Sequence, residues 1–561
     1  MTTNTAPVLP LDRFLHWEAV QGHEIYMTQP FPNGRVVDYT WAEVGDQARR
    51  MAAHLLALGL PAGSSIALLG RNSAHWIMAD LAIWMAGHVS VPLYSTLNAD
   101  TTKYILEHSD AKLLFLGKMD GVSDGWNSMR PVIPESLPQI ALPLAPRADL
   151  PAWDRIMADT APLQTPQFAP PHALATIIYT SGSTGMPKGV MHSHLGIATA
   201  CAAMHDTFAM NSRDRMLSYL PLAHAAERAV VEVNSFYAGF RVFFSNSLET
   251  FAEDLRRARP TVFFSVPRLW TKFYQGVSAK LPEKKLRLLL KVPLLAGVVR
   301  KKILAQLGLL DARVTITGSA PLPPHIMEWF RRLGLEMLDG YGMTENFAVS
   351  HFSRPGKVRV GYVGNPVLGV QARIAESGEV EVKSPAQMMG YHKMPGKAEE
   401  EMTADGFFKT GDRGEIDAEG RLKITGRVKE LFKTSKGKYV APVPIEQRLG
   451  RHPALESICV AGSGLAQPIA LAVLSPEVRS TLNGGASRAA LGNALRQLLD
   501  DVNGVLEPHE KLDCLVLVSD AWTMDNGFLT PTMKIRRNVI ESHYMAQAEA
   551  WVAQRQPVIW L

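Results

Sequence analysis

The sequence predicts an α/β protein of two domains: a large N-terminal domain with parallel-rich sheets packed with helices plus a β-rich part, and a small mobile α/β C-terminal domain. Three observations predict it. Helical and strand-like segments alternate through the first third and again to about residue 320, and such alternation needs crossover units and a largely parallel sheet. After about residue 375 the pattern turns to short alternating strands, then to a lysine-rich stretch and a small mixed region. A chain of 561 residues also exceeds what one hydrophobic core normally serves.

The elements follow in order. Residues 41–58 have the period of an amphipathic helix stopped by Gly59, and 65–69 read as a buried strand closed by Gly70. A helix over 75–86, a strand over 89–93, a helix over 100–109 and a strand over 112–116 continue the alternation. The proline-rich stretch 131–171 reads as a connecting loop into an apolar strand at 175–179. Residues 241–244, 261–265 and 314–317 look like buried strands, whereas 379–382, 414–416 and 421–425 are short alternating ones. A boundary near Gly426 gives domains 1–426 and 427–561.

Bulk properties narrow the function. Hydrophobic residues make up 47% and charged residues 20%, as in soluble globular proteins. A net charge of +5 is small for this length and gives no reason to expect nucleic acid as a partner. Cys201, Cys459 and Cys514 are far apart and match no metal or redox spacing, which suits a reducing, cytoplasmic setting. Residues 1–13 lack the basic-then-apolar pattern of a leader, and no apolar run is long enough to span a bilayer. Segment 284–302 allows two readings, a surface helix that packs its leucines inward or a stretch lying on an anionic membrane. The first is preferred, and contact at the membrane periphery is left open.

Four loops carry the chemistry. After the 175–179 strand come Thr180, Ser181, Gly182, Ser183, Thr184, Gly185 and then Lys188. Glycines bring backbone N–H groups close to a ligand, hydroxyls add short donors and the lysine adds charge, a set suited to a polyphosphate. Lys188 is followed by Gly189 rather than Ser or Thr, so this is not a Walker A loop. Gly318, Ser319 and Ala320 follow a strand, at the sheet edge where open α/β sheets bind ligands. Asp339, Gly340, Tyr341, Gly342, Thr344 and Glu345 offer a ring for a nucleobase, a hydroxyl for a phosphate and a carboxylate for magnesium. Thr410-Gly411-Asp412 places a carboxylate in a tight turn, suited to ribose hydroxyls.

These loops, with Gly426-Arg427-Val428-Lys429-Glu430 and the run from Gly527 to Lys534, occur in one order. Together they resemble the adenylate-forming superfamily, which includes acyl-CoA synthetases, luciferase-like enzymes and peptide-synthetase adenylation domains. The resemblance runs from Tyr39 to Lys534. It implies that a carboxylic acid attacks the α-phosphate of ATP, and that a thiol, usually that of coenzyme A, then attacks the acyl-adenylate. It places Ser181 to Lys188 on the β- and γ-phosphates, with Thr180 at the head of that loop. Gly318, Ser319, Ala320 and Tyr341 surround adenine, and Asp339, Gly340 and Gly342 belong to the same ATP- and AMP-binding set. Thr344 falls on the α-phosphate, Glu345 and Thr184 on magnesium, and Asp412 and Arg427 on ribose. Lys534 is implied as the catalytic lysine, Lys429 as the hinge of a mobile C-terminal domain, and Lys436 with Gly437 as a coenzyme A contact.

Three local signatures resemble the long-chain fatty acid branch: the run from Ser218 to Arg228, Val266-Pro267-Arg268-Leu269-Trp270, and Lys433 to Pro442 with Ile445-Glu446. Within the first, the resemblance sets His224 beside the acyl pocket, although a lone histidine is more often structural, as His192 and His194 are read here. The expectation is an ATP-, magnesium- and coenzyme A-dependent ligase for medium- to long-chain fatty acids. A fatty acyl-AMP ligase serving a carrier protein and an aryl–CoA ligase stay open, as does a homodimer.

Overall fold

The computed structural model describes residues 7–119, 125–180, 186–482, 485–523, 526–530 and 534–561. The chain divides into a larger compact unit (1–320, 327–372 and 382–408) and a smaller one (321–326, 373–381 and 409–561).

A seven-stranded sheet organises the larger unit. Its order is Gly390–Tyr391, Lys188–Ser193, Leu174–Thr180, Val89–Leu93, Ser65–Leu69, Leu113–Leu116 and Gln139–Ala141. From Leu174–Thr180 to Gln139–Ala141 the neighbours run parallel, while Lys188–Ser193 pairs antiparallel on both sides. A second sheet runs Val262–Ser265, Val314–Gly318, Met337–Tyr341, with Gly318 opposite Gly340 in parallel register. A third joins Val36–Thr40, Ile25–Pro30, Arg241–Phe244 and Arg215–Ser218. The fold class is thus α/β with parallel-rich sheets, as the alternation predicts.

Local chemistry explains the elements. Helix Trp41–Ala57 starts at a capping box, in which Glu43 N–H bonds the Thr40 hydroxyl and Thr40 N–H bonds the Glu43 carboxylate. Such caps contribute about 1 kcal/mol. Its buried face (Val44, Ala48, Met51, Leu55) recurs every three to four residues and packs on helix Ala74–Met85. That second helix is buried at every position, which makes Asp80 a buried acid. The charge is matched. The Arg228 guanidinium donates to Asp80, to Glu232 (2.9 Å) and to the Thr176 hydroxyl (2.7 Å), between the rings of Trp76 and Trp84. Arg228 opens a π-helical stretch, Arg228–Val233.

Two sequence readings need correction. The 131–171 connector contains the edge strand Gln139–Ala141 and helix Trp153–Asp159, whose buried Trp153 donates to Gln47 (2.9 Å). Prolines punctuate these pieces without forbidding them, because each is short and starts after a proline. Segment 284–302 forms two helices, Glu283–Lys291 and Pro293–Leu307, but it does not turn its apolar residues inward as preferred. Leu286 and Ala296 are buried, whereas Leu288, Val292, Leu294, Leu295 and Val298 are exposed.

In the smaller unit, Phe408–Ile416 pairs antiparallel with Leu422–Arg427. A four-stranded sheet of Leu455–Ala461, Ile469–Leu474, Leu515–Val518 and Val558–Trp560 packs with helix Gly485–Asn503.

Candidate active site

The larger unit gathers four of its charged and phenolic groups at one sheet edge. Thr180 lies opposite Lys188 across the antiparallel pair, so the two frame the glycine-rich loop. Ser181, Gly182, Ser183, Thr184 and Gly185 lie outside the described residues. On the far side, Tyr391 pairs with Val190, which sets its ring 4.6 Å below the Lys188 ammonium. Lys188 donates to Glu401 Oε1 (2.8 Å), and the Tyr391 hydroxyl lies 2.6 Å from Glu401 Oε2 and 3.0 Å from Glu345 Oε1.

A phenol has one proton, so it cannot satisfy two ionised carboxylates at once. The two acids divide accordingly. Burial, then repulsion from Glu401, holds the Glu345 carboxyl above its ordinary value. Burial pushes Glu401 the same way, but the bonds from Lys188 and Tyr391 outweigh it and keep Glu401 low. Of the two acids, Glu401 holds the ion pair with Lys188, and Glu345 has none among the described residues. Among the described residues no cluster of three or more metal-ligating side chains occurs. One or two carboxylates are what magnesium takes when phosphates supply the remaining oxygens, so the donor set fits it.

The nucleotide-side loops are shaped by close approach. Ser319 has a left-handed backbone (φ 66°) directly after the strand Val314–Gly318. A Cβ at Gly342 would stand 2.2 Å from the Ala348 carbonyl oxygen, so only glycine allows the Tyr341–Thr344 turn to fold back. Likewise a Cβ at Gly340 would meet the Phe352 ring at 2.4 Å. Asp339 sits opposite Thr317 in the parallel register, and burial raises its carboxyl to about 8. The Thr317 hydroxyl is buried without a partner among the described residues. The Tyr341 ring is half-buried, 6.0 Å from His351. Thr344 begins a short 3₁₀ turn, and His192 Nε2 donates to its carbonyl (2.7 Å).

The smaller unit holds the other group of residues. Asp412 and Arg427 are cross-strand partners, with Arg427 Nε donating to Asp412 Oδ1 at 2.9 Å. The pKa of Lys534 is lowered by burial and then by repulsion from Arg427, with Asp412 and Glu430 opposing. By surface area Lys534 is exposed, so the weight falls on the charge neighbours, all of the same unit. Lys429 lies exposed on the 3₁₀ turn Val428–Glu430. Lys436 and Gly437 (φ 77°) form the tip between strands Phe432–Lys433 and Tyr439–Val440.

His224 is half-buried, its Nδ1 accepting from Ala226 N–H (3.1 Å) at the start of a helical turn. Next to that turn, Glu227 accepts from Ser218 Oγ (2.9 Å) and Tyr219 N–H (3.0 Å), and burial raises it to about 8. Sequence reasoning missed Tyr391, Glu401 and the tie from His192. Lys188 and Glu401 are 213 residues apart, and no local pattern marks the acid within its run of glutamates.

Comparison with known proteins adds the following. The family description "AMP-binding enzyme" matches residues 16–392, and "AMP-binding enzyme C-terminal domain" matches 430–556. A long-chain-fatty-acid–CoA ligase of Mycobacterium bovis (FadD15) is 30% identical over 565 residues, covering 92% of this chain and 93% of that one. The peroxisomal long chain acyl-CoA synthetase 6 of Arabidopsis thaliana is 31% identical over 576 residues, covering 91% and 81%. Among solved structures, the adenylation domain of a Mycobacterium chelonae carboxylate reductase superposes with a TM-score of 0.80 at 22% identity, covering 98% and 92%. An anthranilate CoA ligase bound to anthranoyl-AMP gives 0.79 at 20% identity, covering 97% and 99%. At these identities the two structures speak for the fold.

Proposed function

Because the chain belongs to the AMP-binding enzyme family, we propose that it is an AMP-forming acid–thiol ligase for medium- to long-chain fatty acids. The carboxylate oxygen attacks the α-phosphorus of ATP and expels pyrophosphate. The thiol sulfur of coenzyme A then attacks the acyl carbonyl and expels AMP. The observation that carries this reading is the nearly end-to-end match with ligases named for long-chain fatty acids.

The reaction brings two anions together, so it needs fixed positive charge where their repulsion peaks. In this proposal Lys188 binds the β- and γ-phosphates, with the backbone and hydroxyls of Thr180 to Gly185 beside it. Its ammonium leaves Glu401 to do so. Glu345, with Thr184, would hold magnesium, which when bound neutralises phosphate charge. Gly318, Ser319, Ala320 and Tyr341 cradle adenine, Asp339, Gly340 and Gly342 complete the nucleotide-binding set, and Thr344 donates to the α-phosphate. Asp412 and Arg427 take the ribose, and Lys534 supplies the charge at the meeting point of carboxylate and phosphate. Lys429 serves as the hinge between domains 1–426 and 427–561, Lys436 and Gly437 contact coenzyme A, and His224 borders the acyl chain.

Among the described residues no helix is long and apolar enough to cross a membrane. A cytoplasmic enzyme that works at the membrane periphery, and that pairs into a homodimer, completes the proposal. The reading is tested by mass spectrometry of products formed from ATP, magnesium and a graded panel of carboxylic acids, with and without coenzyme A. Acyl-CoA with an optimum among fatty acids is expected. Acyl-adenylate that accumulates in the presence of coenzyme A overturns the thioester step, and an aromatic optimum overturns the substrate class.

A further inference from the structure

We propose that the helix pair Glu283–Lys291 and Pro293–Leu307 is the surface on which this enzyme docks to an anionic lipid membrane. The inference rests on the membrane-periphery reading above and deepens it by assigning the residues.

Between 284 and 302 the chain carries seven lysines or arginines and no acid. The first helix ends where Val292 turns extended (ψ 110°), and Pro293 starts the second, so the two meet at a corner. That corner is apolar and bare. Leu294 is 89% exposed, Leu288 66% and Val298 64%, with Val292 and Leu295 beside them. Single exposed leucines are ordinary, but five exposed apolar side chains within eleven residues form a patch.

The charges continue the same faces. Lys284, Leu288 and Lys291 fall at i, i+4 and i+7 of the first helix, and Leu294, Val298 and Lys301 repeat that spacing on the second. Lys284, Lys285, Lys291, Lys301 and Lys302 make no ion pair among the described residues, whereas Glu283 is taken by Arg287 (2.6 Å) and Arg332 (2.7 Å). An apolar corner rimmed by unneutralised lysines complements anionic headgroups above acyl chains: the side chains enter the interface and the ammonium groups stay among phosphates. A protein partner or a second copy would have to bury that run of like charge, which favours lipid.

The test is co-sedimentation of the full-length enzyme with phosphatidylcholine vesicles and with mixed phosphatidylcholine–phosphatidylglycerol vesicles, alongside ATP–pyrophosphate exchange in solution. The wild type is expected to pellet with the anionic vesicles only. A triple variant, Leu288→Ser, Leu294→Ser and Val298→Ser, is expected to lose at least tenfold in partition. Each lysine near such a surface is worth about fivefold, so Lys284→Gln, Lys285→Gln, Lys301→Gln and Lys302→Gln together should lower partition by roughly 600-fold, nearly three orders of magnitude. Exchange activity should be unchanged in both variants, because none of these residues lies in the proposed catalytic set. If the wild type ignores anionic vesicles, both this inference and the membrane-periphery reading fall. If the wild type binds but the variants bind equally, the helix pair is not the surface, while the periphery reading stands. A wild-type dimer that Leu294→Ser converts to a monomer, by light scattering, makes the patch a self-association face and overturns lipid docking. Lost exchange with retained vesicle binding unseats the catalytic reading and leaves docking supported.

Discussion

Two regions of the larger unit invert the usual placement of charge and apolar surface, and they do so in opposite directions. Beneath the seven-stranded sheet, Arg228, Asp80 and Glu232 are fully buried. On the helix pair 283–307, leucines and valines stand in water while lysines surround them. The difference lies in whether partners come from inside the fold. The Arg228 guanidinium spends its donors on two carboxylates and a hydroxyl, between two indole rings, so the cost of desolvating it is offset internally. The corner of the helix pair has no such internal partner, which leaves its apolar side chains to something outside the chain. The cluster around Lys188 stands between the two. Lys188 is partly exposed and matched by Glu401, which is partly exposed as well.

The sharpest way to break this contrast is to remove one member of the buried triad. Arg228→Met leaves two facing carboxylates without a cation and should destabilise the larger unit by about 3–5 kcal/mol, read from urea unfolding. Replacing Asp80 and Glu232 by Leu in the same chain should recover most of that loss, since an apolar triad needs no pairing. Failure to recover would mean that the π-helical turn itself depends on the ion pairs. Lys188→Ala tests the partly exposed charge. It should cost about 3–4 kcal/mol in the adenylation transition state, a loss of two to three orders of magnitude in kcat/KM for ATP. Stability should barely move, because Lys188 is only half-buried.

Buried acids also leave a mark on the pH dependence of stability. Glu227 and Asp339 are each raised to about 8 from ordinary carboxyl values, so the folded chain keeps protons that the unfolded chain releases. Stability contributed in this way falls as pH rises from the unfolded value through 8. Buried His192 and His194 act in the opposite sense. Held down to about 4 from 6.5, they cost stability as pH falls through that window. Between 6.5 and 8 only the acids act, at up to roughly 2 kcal/mol each. Melting temperature should therefore drop from pH 6.5 to 8, and Glu227→Gln should flatten part of the slope. An unchanged slope would mean that Glu227 is ionised throughout.

What the sequence made legible divides along the same line. Alternating periodicity placed Ser65–Leu69, Val89–Leu93, Leu113–Leu116 and Leu174–Thr180 in the first sheet and Val262–Ser265 and Val314–Gly318 in the second, because each is a continuous apolar run. Glycine, proline and hydroxyl residues placed the loops, because turns there tolerate little else, as the Cβ position at Gly342 makes plain. Partners remote in sequence were illegible. Nothing near Glu401 signals Lys188, and nothing near Asp80 signals Arg228, 148 residues away. The strands Ile25–Pro30 and Val36–Thr40 were missed as well, and the second is exposed at Val36 and Asp38 and half-buried elsewhere. The apolar period of 284–302 suggested inward packing, but periodicity shows that a helix has faces without saying which face meets a partner.

Glu401 gives a smaller effect. Glu401→Gln keeps an acceptor for Tyr391 and Lys188 but removes the competing charge. If the carboxylate holds Lys188 back from phosphate, KM for ATP should fall by about fivefold or less with kcat little changed, the scale of a partly exposed ion pair. A rise in KM would mean that the acid aims the lysine instead of restraining it.

The smallest effect falls on the helix pair, and its smallness is the point. Leu294→Ser removes an 89%-exposed side chain, so in solution it should change unfolding free energy by no more than about 0.5 kcal/mol. Leu286→Ser on the neighbouring helix, buried at 2% exposure, leaves a cavity and an unpaired hydroxyl and should cost roughly 2–4 kcal/mol. Both changes are leucine to serine within one helix pair, so propensity and chemistry nearly cancel between them. If Leu294→Ser proved as costly as Leu286→Ser, its side chain would already have a partner within the chain. The contrast with the buried triad would then collapse. If the two differ as expected, the apolar corner contributes nothing to the isolated fold, and the reason for its leucines has to be sought in what it touches.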